Sequence, residues 1–426
     1  MKSIASKNTW VGSVLLGSAL VPVSALAGGI SLYEIATPDI GLASAGYASR
    51  AQDASTVFKN PAGMNLLGGS QTQAGAQLLY GDMEFSHDAS TSHRLGTNDG
   101  GNAIGALPGV SAFYVHELDE KWRVGFGTLS YLGAAQEYHP DWVGRYYVQE
   151  STLLGMSLLP TVSYQVTDWL SVGAGVNAMY GELKDQVALP NLEHDFGDGQ
   201  MRVKDHAWGL GANAGVLIQA SKETRVGINY LSAVDLDFQA RPEFTHLGPT
   251  LTKLLAATPR LDLGVTVPRS TMVSLFHQLN EKTALMADVG WQNWEQFGRV
   301  QIGLDSVDST QLTKDLHFQD TWHGAVGAQY QLCSAWRITG GVAYDSSAVD
   351  DADRTVSMPM GSAWRFGTGL EWQLNEKISL GAGYEFLWMG DMSIDQGSDL
   401  SLRGRVSGAY ENASISFFTL NFNWKL

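Results

Sequence analysis

Few residues of this chain have the types and spacing that reactions require. His116-Glu117 begins a zincin-like pair, but no second His follows at the interval that would put two imidazoles on one helix face. Gly367-Thr368-Gly369 is no phosphate-binding loop, because it lies inside an alternating strand pattern. Cys333 is the single Cys, which excludes an intramolecular disulfide and any metal site built from several thiolates. Asp350-Asp351-Ala352-Asp353 carries enough carboxylate to hold a divalent cation, yet such a run reads first as a solvated loop. No catalytic set, resident metal or cofactor is expected. What remains is recognition chemistry. Arg225, Arg337 and Arg365 are cations that can neutralise a ligand carboxylate, or pair with acids such as Glu371 and Glu385. Leu247, Leu251, Leu254 and Leu255 recur at helical spacing in a loop, and an apolar helix face there must either pack on a neighbour or line a ligand groove.

The elements that must position these residues are strands. In the last of them, Phe418, Leu420, Phe422, Trp424 and Leu426 alternate with Thr419, Asn421, Asn423 and Lys425. One face is wholly apolar and the other wholly polar, as a strand with lipid on one side requires. The pattern resembles the C-terminal strand by which bacterial outer-membrane proteins are recognised for assembly. Trp364, Phe366, Leu370 and Trp372 alternate with Arg365, Gly367, Gly369 and Glu371 in the same way, which puts Arg365 on the polar, inward face, and Arg225 and Arg337 fall on the expected inward face of their own strands. Short polar turns recur near 118–122, 166–169, 221–224, 279–282, 333–336 and 374–377. Between them fall longer polar or Gly-rich stretches near 81–108, 134–144, 186–202, 242–268, 304–314, 346–362 and 393–404. Short turns on one side and long loops on the other are the asymmetry of outer-membrane barrels. Six turns and seven loops join fourteen antiparallel strands, so the fold class is all-β, a transmembrane β-barrel over 70–426.

Composition agrees with that architecture. Charged residues are 16% of the chain, below the ~25% usual in soluble domains, and 48 residues are Gly. A net charge of −16 argues against a nucleic-acid partner. Lys2 and Lys7 precede an apolar stretch from Trp10 to Leu20 and then Ala25-Leu26-Ala27, the form of a signal peptide over 1–27. Residues 28–69 are too few and too rich in Gly and Ala to bury a core of their own, and their economical place is a plug inside the barrel.

That plug candidate carries a family likeness. Residues 41–64, and above all Asp53-Ala54-Ser55-Thr56-Val57 leading into Asn60-Pro61-Ala62-Gly63-Met64, resemble the hatch of the FadL/TodX family of outer-membrane transporters of hydrophobic compounds. The likeness continues at Trp291-Gln292-Asn293-Trp294-Glu295-Gln296-Phe297 and from Trp364 to Glu385. The resemblance implies a monomeric fourteen-stranded barrel plugged by an N-terminal hatch. Ligand would enter an extracellular apolar groove, pass to the lumen and leave sideways where the third strand kinks inward. Asn60, Pro61 and Ala62 would lie against that kink, and Gly125, Gly127 and Gly133 are its candidates in a third strand expected over about 121–133. The partners implied are a hydrophobic ligand, outer-membrane lipid and lipopolysaccharide, and the assembly machinery. Fatty acids, aromatic hydrocarbons and alkanes all remain open as ligands. An open diffusion porin, or a barrel adhesin or enzyme, are the alternatives.

Overall fold

The computed structural model describes residues 32–426, except 194, 257–259, 298 and 305–311. The leader expected over 1–27 and the acidic stretch at 305–308 therefore lie outside the described residues.

Each alternating run forms a strand. The fourteen strands of the wall are β1 (Gln71–Asp82), β2 (Gly105–Glu117), β3 (Trp122–Glu137), β4 (Glu150–Thr167), β5 (Leu170–Leu189), β6 (Gly199–Gln219) and β7 (Thr224–Leu231), followed by β8 (Ser270–Gln278), β9 (Thr283–Gln292), β10 (Thr321–Gln331), β11 (Trp336–Asp345), β12 (Ala363–Gln373), β13 (Ile378–Gly397) and β14 (Arg405–Lys425). Neighbours in sequence are antiparallel neighbours in space. The ring closes because β1 pairs with β14 from Gln71↔Lys425 to Asp82↔Ser414. Closure leaves no strand of the wall as a sheet edge along its whole length, which lipid would not tolerate. The six short turns fall where the sequence places them.

The wall is inside out relative to a soluble protein. Phe418 and Leu420 on β14 are 50% and 66% exposed, whereas Thr419 and Asn421, which alternate with them, are 2% and 4% exposed. The same inversion holds on β12, where Trp364 and Phe366 face outward and Arg365 is buried. A continuous apolar exterior over a polar interior is stable only against hydrocarbon.

Residues 32–67 form no strand. They make short helical turns (Pro38–Leu42, Thr56–Lys59 and Pro61–Leu66) inside the ring. Their polar contacts are to inward-facing groups. Ala36 N donates to Gln77 of β1 at 3.1 Å, Asn213 of β6 donates to Phe58 O at 2.7 Å, and Ala48 N donates to Ser274 of β8 at 2.8 Å. Gly46 N and Tyr47 N both donate to the Asp288 carboxylate of β9. Taken together, these bonds and the packing of the helical turns bring the segment against all fourteen strands. Two wall glycines show how close the approach is. A Cβ at Gly75 would overlap Ala36 O, and one at Gly341 would overlap Leu42 O.

A second, four-stranded sheet lies at the long-loop end. It orders Leu312–Asp315, Arg299–Leu304, Leu261–Val267 and Val234–Ala240 edge to edge. The buried residues Val234, Leu236 and Phe238 pack it onto the wall near β5 and β6.

Candidate functional site: an apolar groove and a window in the wall

The helix predicted from the leucine spacing is present as Pro249–Leu255, with Pro249 at its first position. Leu251 and Leu255 line a groove of about 370 Å³ at the long-loop end, together with Leu189, Leu192, Met201, Phe244, Tyr146, Tyr147, Leu402 and Arg403. Leu247 and Leu254 pack on the same apolar cluster without lining the groove. The volume falls in the range of ligand pockets, and the lining is mostly hydrocarbon. The rim is braced by charge. Arg145 Nε meets Asp198 at 2.7 Å, and the Tyr146 hydroxyl donates to the same carboxylate at 2.6 Å. Burial, and then this hydrogen bond, push the Tyr146 hydroxyl up to about 12, so it stays a donor at neutral pH.

The third strand does leave its neighbour. β2 and β3 pair from Glu117↔Arg123 only as far as Ser111↔Leu129, although β2 continues to pair with β1 up to Gly105↔Gly81. At that point β3 carries a bulge, with a register shift against β4 between Ser130 and Leu132. The extra residue is Tyr131, whose carbonyl accepts from Leu32 N at 2.7 Å. β3 next meets the chain just ahead of β2, where Glu137 N donates to Ala103 O at 2.8 Å. What lies between is a window of about 70 Å³ lined by Leu32, Ile35 and Ala36 from inside and by Leu107, Pro108, Val110, Ser130, Gly133 and Leu154 of the wall. Pro108 stands in the stretch of β2 that lacks a partner on this side. A proline within a strand pattern marks a free edge, and this was the available sequence signal for the window.

The kink candidates separate. Gly133 borders the window. Gly125 and Gly127 remain paired with Val115 and Phe113, and a Cβ at Gly125 would meet Val57 and Met64, so they make room for the inner segment. The Asn60-Pro61-Ala62-Gly63-Met64 turn also sits elsewhere. Asn60 donates to Val216 O of β6 at 3.0 Å, and Pro61 packs over Gly173 of β5. Met64 reaches β3 at Gly125, and the turn Pro61–Leu66 packs against β3 as well as, more extensively, β4, β5 and β6. The part of the segment that fronts the window is Leu32–Ala36.

The three inward arginines are engaged with protein groups. Arg365 pairs with Glu34, with Asp345 at 2.5 Å and with Glu385 at 3.2 Å. Arg337 donates to Gln52 at 2.9 Å and lies 3.5 Å from Glu371. Arg225 donates to Ser49 O and Arg50 O, both at 2.6 Å, over the Phe276 ring. Each thus fastens the inner segment or a neighbouring strand. Asp351, in the acidic run, bridges Arg354 at 2.6 Å, and no group of three or more metal-ligating side chains occurs among the described residues.

Comparison with known proteins gives the same architecture. The chain is 25% identical to outer membrane protein P1 of Haemophilus influenzae, over 96% of this chain and 98% of that one. It is 24% identical to the long-chain fatty acid transport protein of Escherichia coli K12, over 89% and 92%. Among solved structures, a FadL homologue of Pseudomonas aeruginosa superposes with a TM-score of 0.82 at 21% identity, covering 92% of this chain and 99% of that one. The toluene transporter TodX of Pseudomonas putida superposes at 0.65 and 16% identity, covering 89% and 98%. The family model described as outer membrane protein transport protein (OMPP1/FadL/TodX) matches residues 18–426, so this outer-membrane β-barrel belongs to the FadL/TodX family of transport proteins.

Proposed function

We propose that this chain takes up hydrophobic molecules, of the fatty-acid or aromatic-hydrocarbon class, by capture in the loop groove and sideways release through the window between β2 and β3. The observation that carries this reading is the continuity of apolar packing. One buried cluster includes Leu251 and Leu255 at the groove, Phe58 and Tyr47 of the inner segment, and Ile35, Tyr131 and Leu132 at the window. An apolar ligand on that track never meets bulk water, which would cost roughly 0.8 kcal/mol per methylene. Between groove and window, Tyr33, Tyr47, Phe58 and Tyr131 leave only about 20 Å³, room for about one water. Passage therefore needs displacement of the inner segment, which makes residues 28–69 a hatch. In this reading the Asn60–Met64 turn anchors the hatch on β4 to β6 while Leu32–Ala36 gates the window. The barrel acts as a monomer inserted by the outer-membrane assembly machinery, with lipid and lipopolysaccharide as its surroundings. The diffusion-porin alternative is disfavoured by a lumen occupied against every strand.

Gly133→Trp tests the route. A Cβ at Gly133 has only Leu154 and Leu32 in ordinary contact, so the wall accepts the change and the indole fills the window. Uptake of radiolabelled oleate and of toluene by cells carrying the heat-modifiable variant should fall at least tenfold, with binding to the purified barrel unchanged. Undiminished uptake of both would mean that release occurs through the periplasmic mouth.

A further inference from the structure

Several arginines at the long-loop end are paired with carboxylates. Arg145 is held by Asp198, Arg354 by Asp351 and Arg405 by Asp395. Arg403 lines the groove itself, and its Nη2 is buried without a hydrogen-bond partner. Its guanidinium carbon lies 5.4 Å from the centroid of the Tyr147 ring. The loop is pressed into this position. The Tyr147 hydroxyl donates to Gly404 O at 2.7 Å, and Gly397, with a φ of +84°, lies where any Cβ would overlap that hydroxyl. Burial lowers the Arg403 pKa from its ordinary value, and no carboxylate offsets it. A guanidinium stays charged under these conditions, and among the described residues the Tyr147 ring is the one neighbour that offsets its desolvation, so an arriving anion would find an open partner.

We propose that Arg403 is a specificity residue of the groove, binding the carboxylate of a fatty acid whose chain lies along Leu251 and Leu255. This rests on the groove being the capture site, and it selects the carboxylate-ended class over plain hydrocarbons. A planar carboxylate matches the guanidinium fork and adds charge-assisted hydrogen bonds to the hydrocarbon contacts. An aromatic hydrocarbon offers the buried N–H nothing. Lipopolysaccharide phosphate is the other anion source at this end of the barrel, but the unpartnered N–H is buried in the groove lining rather than on the open rim.

The test compares decanoate with decanol on the full mature barrel in lipid nanodiscs, with binding to empty discs subtracted. For the unaltered protein, decanoate affinity should fall with added salt and decanol affinity should not. Arg403→Gln should weaken decanoate about tenfold and leave decanol within about twofold. Arg403→Lys should recover part of the decanoate affinity. Equal losses for both ligands would make Arg403 a packing residue, and unchanged decanoate binding would place the carboxylate elsewhere; either overturns the proposal. Leu255→Glu keeps the two readings apart. If the groove is the capture site it weakens decanol as well, and if decanol is indifferent to it the capture site itself is misplaced.

Discussion

Arg365 shows at the residue scale why a lumen cation need not be a ligand cation. It is buried among Glu34 of the inner segment, Asp345 of β11 and Glu385 of β13, with Tyr33 beside it. His323 Nδ1 meets the same Asp345 at 2.7 Å. Three carboxylates and one guanidinium in a dry lumen stabilise each other only as a set. Removing one member of a buried pair costs about 3–5 kcal/mol, because it strands the partners' charge. Arg365→Met should therefore lower the heating temperature at which the folded gel band converts to the unfolded one. Adding Glu34→Gln should restore part of the loss, since it removes one stranded carboxylate. A conversion temperature unaffected by Arg365→Met would show that the network contributes nothing to holding residues 32–67 in the barrel.

At the scale of elements the decisive piece is β3. Its pairing with β4 continues to Glu137↔Glu150, so the strand is not short; it is displaced by one residue. A bulge bends its strand and increases the local twist, which carries 130–133 off the edge of β2. Leu32 N then takes the Tyr131 carbonyl that the ladder has lost. Deleting Tyr131 should restore register and let β2 and β3 pair through Gly105–Val110. Amide exchange measured by mass spectrometry would report this. A peptide covering 105–111 should exchange readily in the unaltered barrel and become protected in the deletion variant. Oleate uptake should fall with the same change, while groove binding persists. Protection without loss of uptake would separate the window from the transport route.

The whole molecule is a closed wall around a segment that cannot fold alone. Residues 32–67 bury Ile40, Leu42, Val57, Phe58 and Met64 only because fourteen strands surround them. The wall does not depend on the segment in the same way, because its ladder hydrogen bonds close on themselves. A variant that keeps residues 1–27 and lacks 28–69 should still give a heat-modifiable barrel. Its conductance in planar bilayers should rise several-fold over the intact protein. An intact protein that already conducts as an open pore would refute the hatch and favour the diffusion porin. The apolar exterior bears on assembly state as well. Hydrocarbon can cover such a surface without a protein partner.

The sequence by itself determined everything that repeats locally. A period of two assigns each wall residue to lipid or lumen, and tight turns separated by long loops count the strands, so the fourteen-stranded wall was legible in the sequence, while the small second sheet at the long-loop end was not. The helix bearing Leu251 and Leu255 was legible too, because helical spacing is a property of neighbours in the chain. What needed the tertiary structure was every relation between distant residues. The acids around Arg365 come from positions 34, 345 and 385, and no local pattern links them. The Asn60–Met64 turn touches the third strand at Gly125 but packs mostly on β4 to β6, because the route of a strandless segment through a lumen follows side-chain fit and not register. Arg403 gave no sequence signal in its polar loop. Its standing as a cation with a buried, unpartnered N–H in an apolar groove exists only after four connections distant in the chain have met around it.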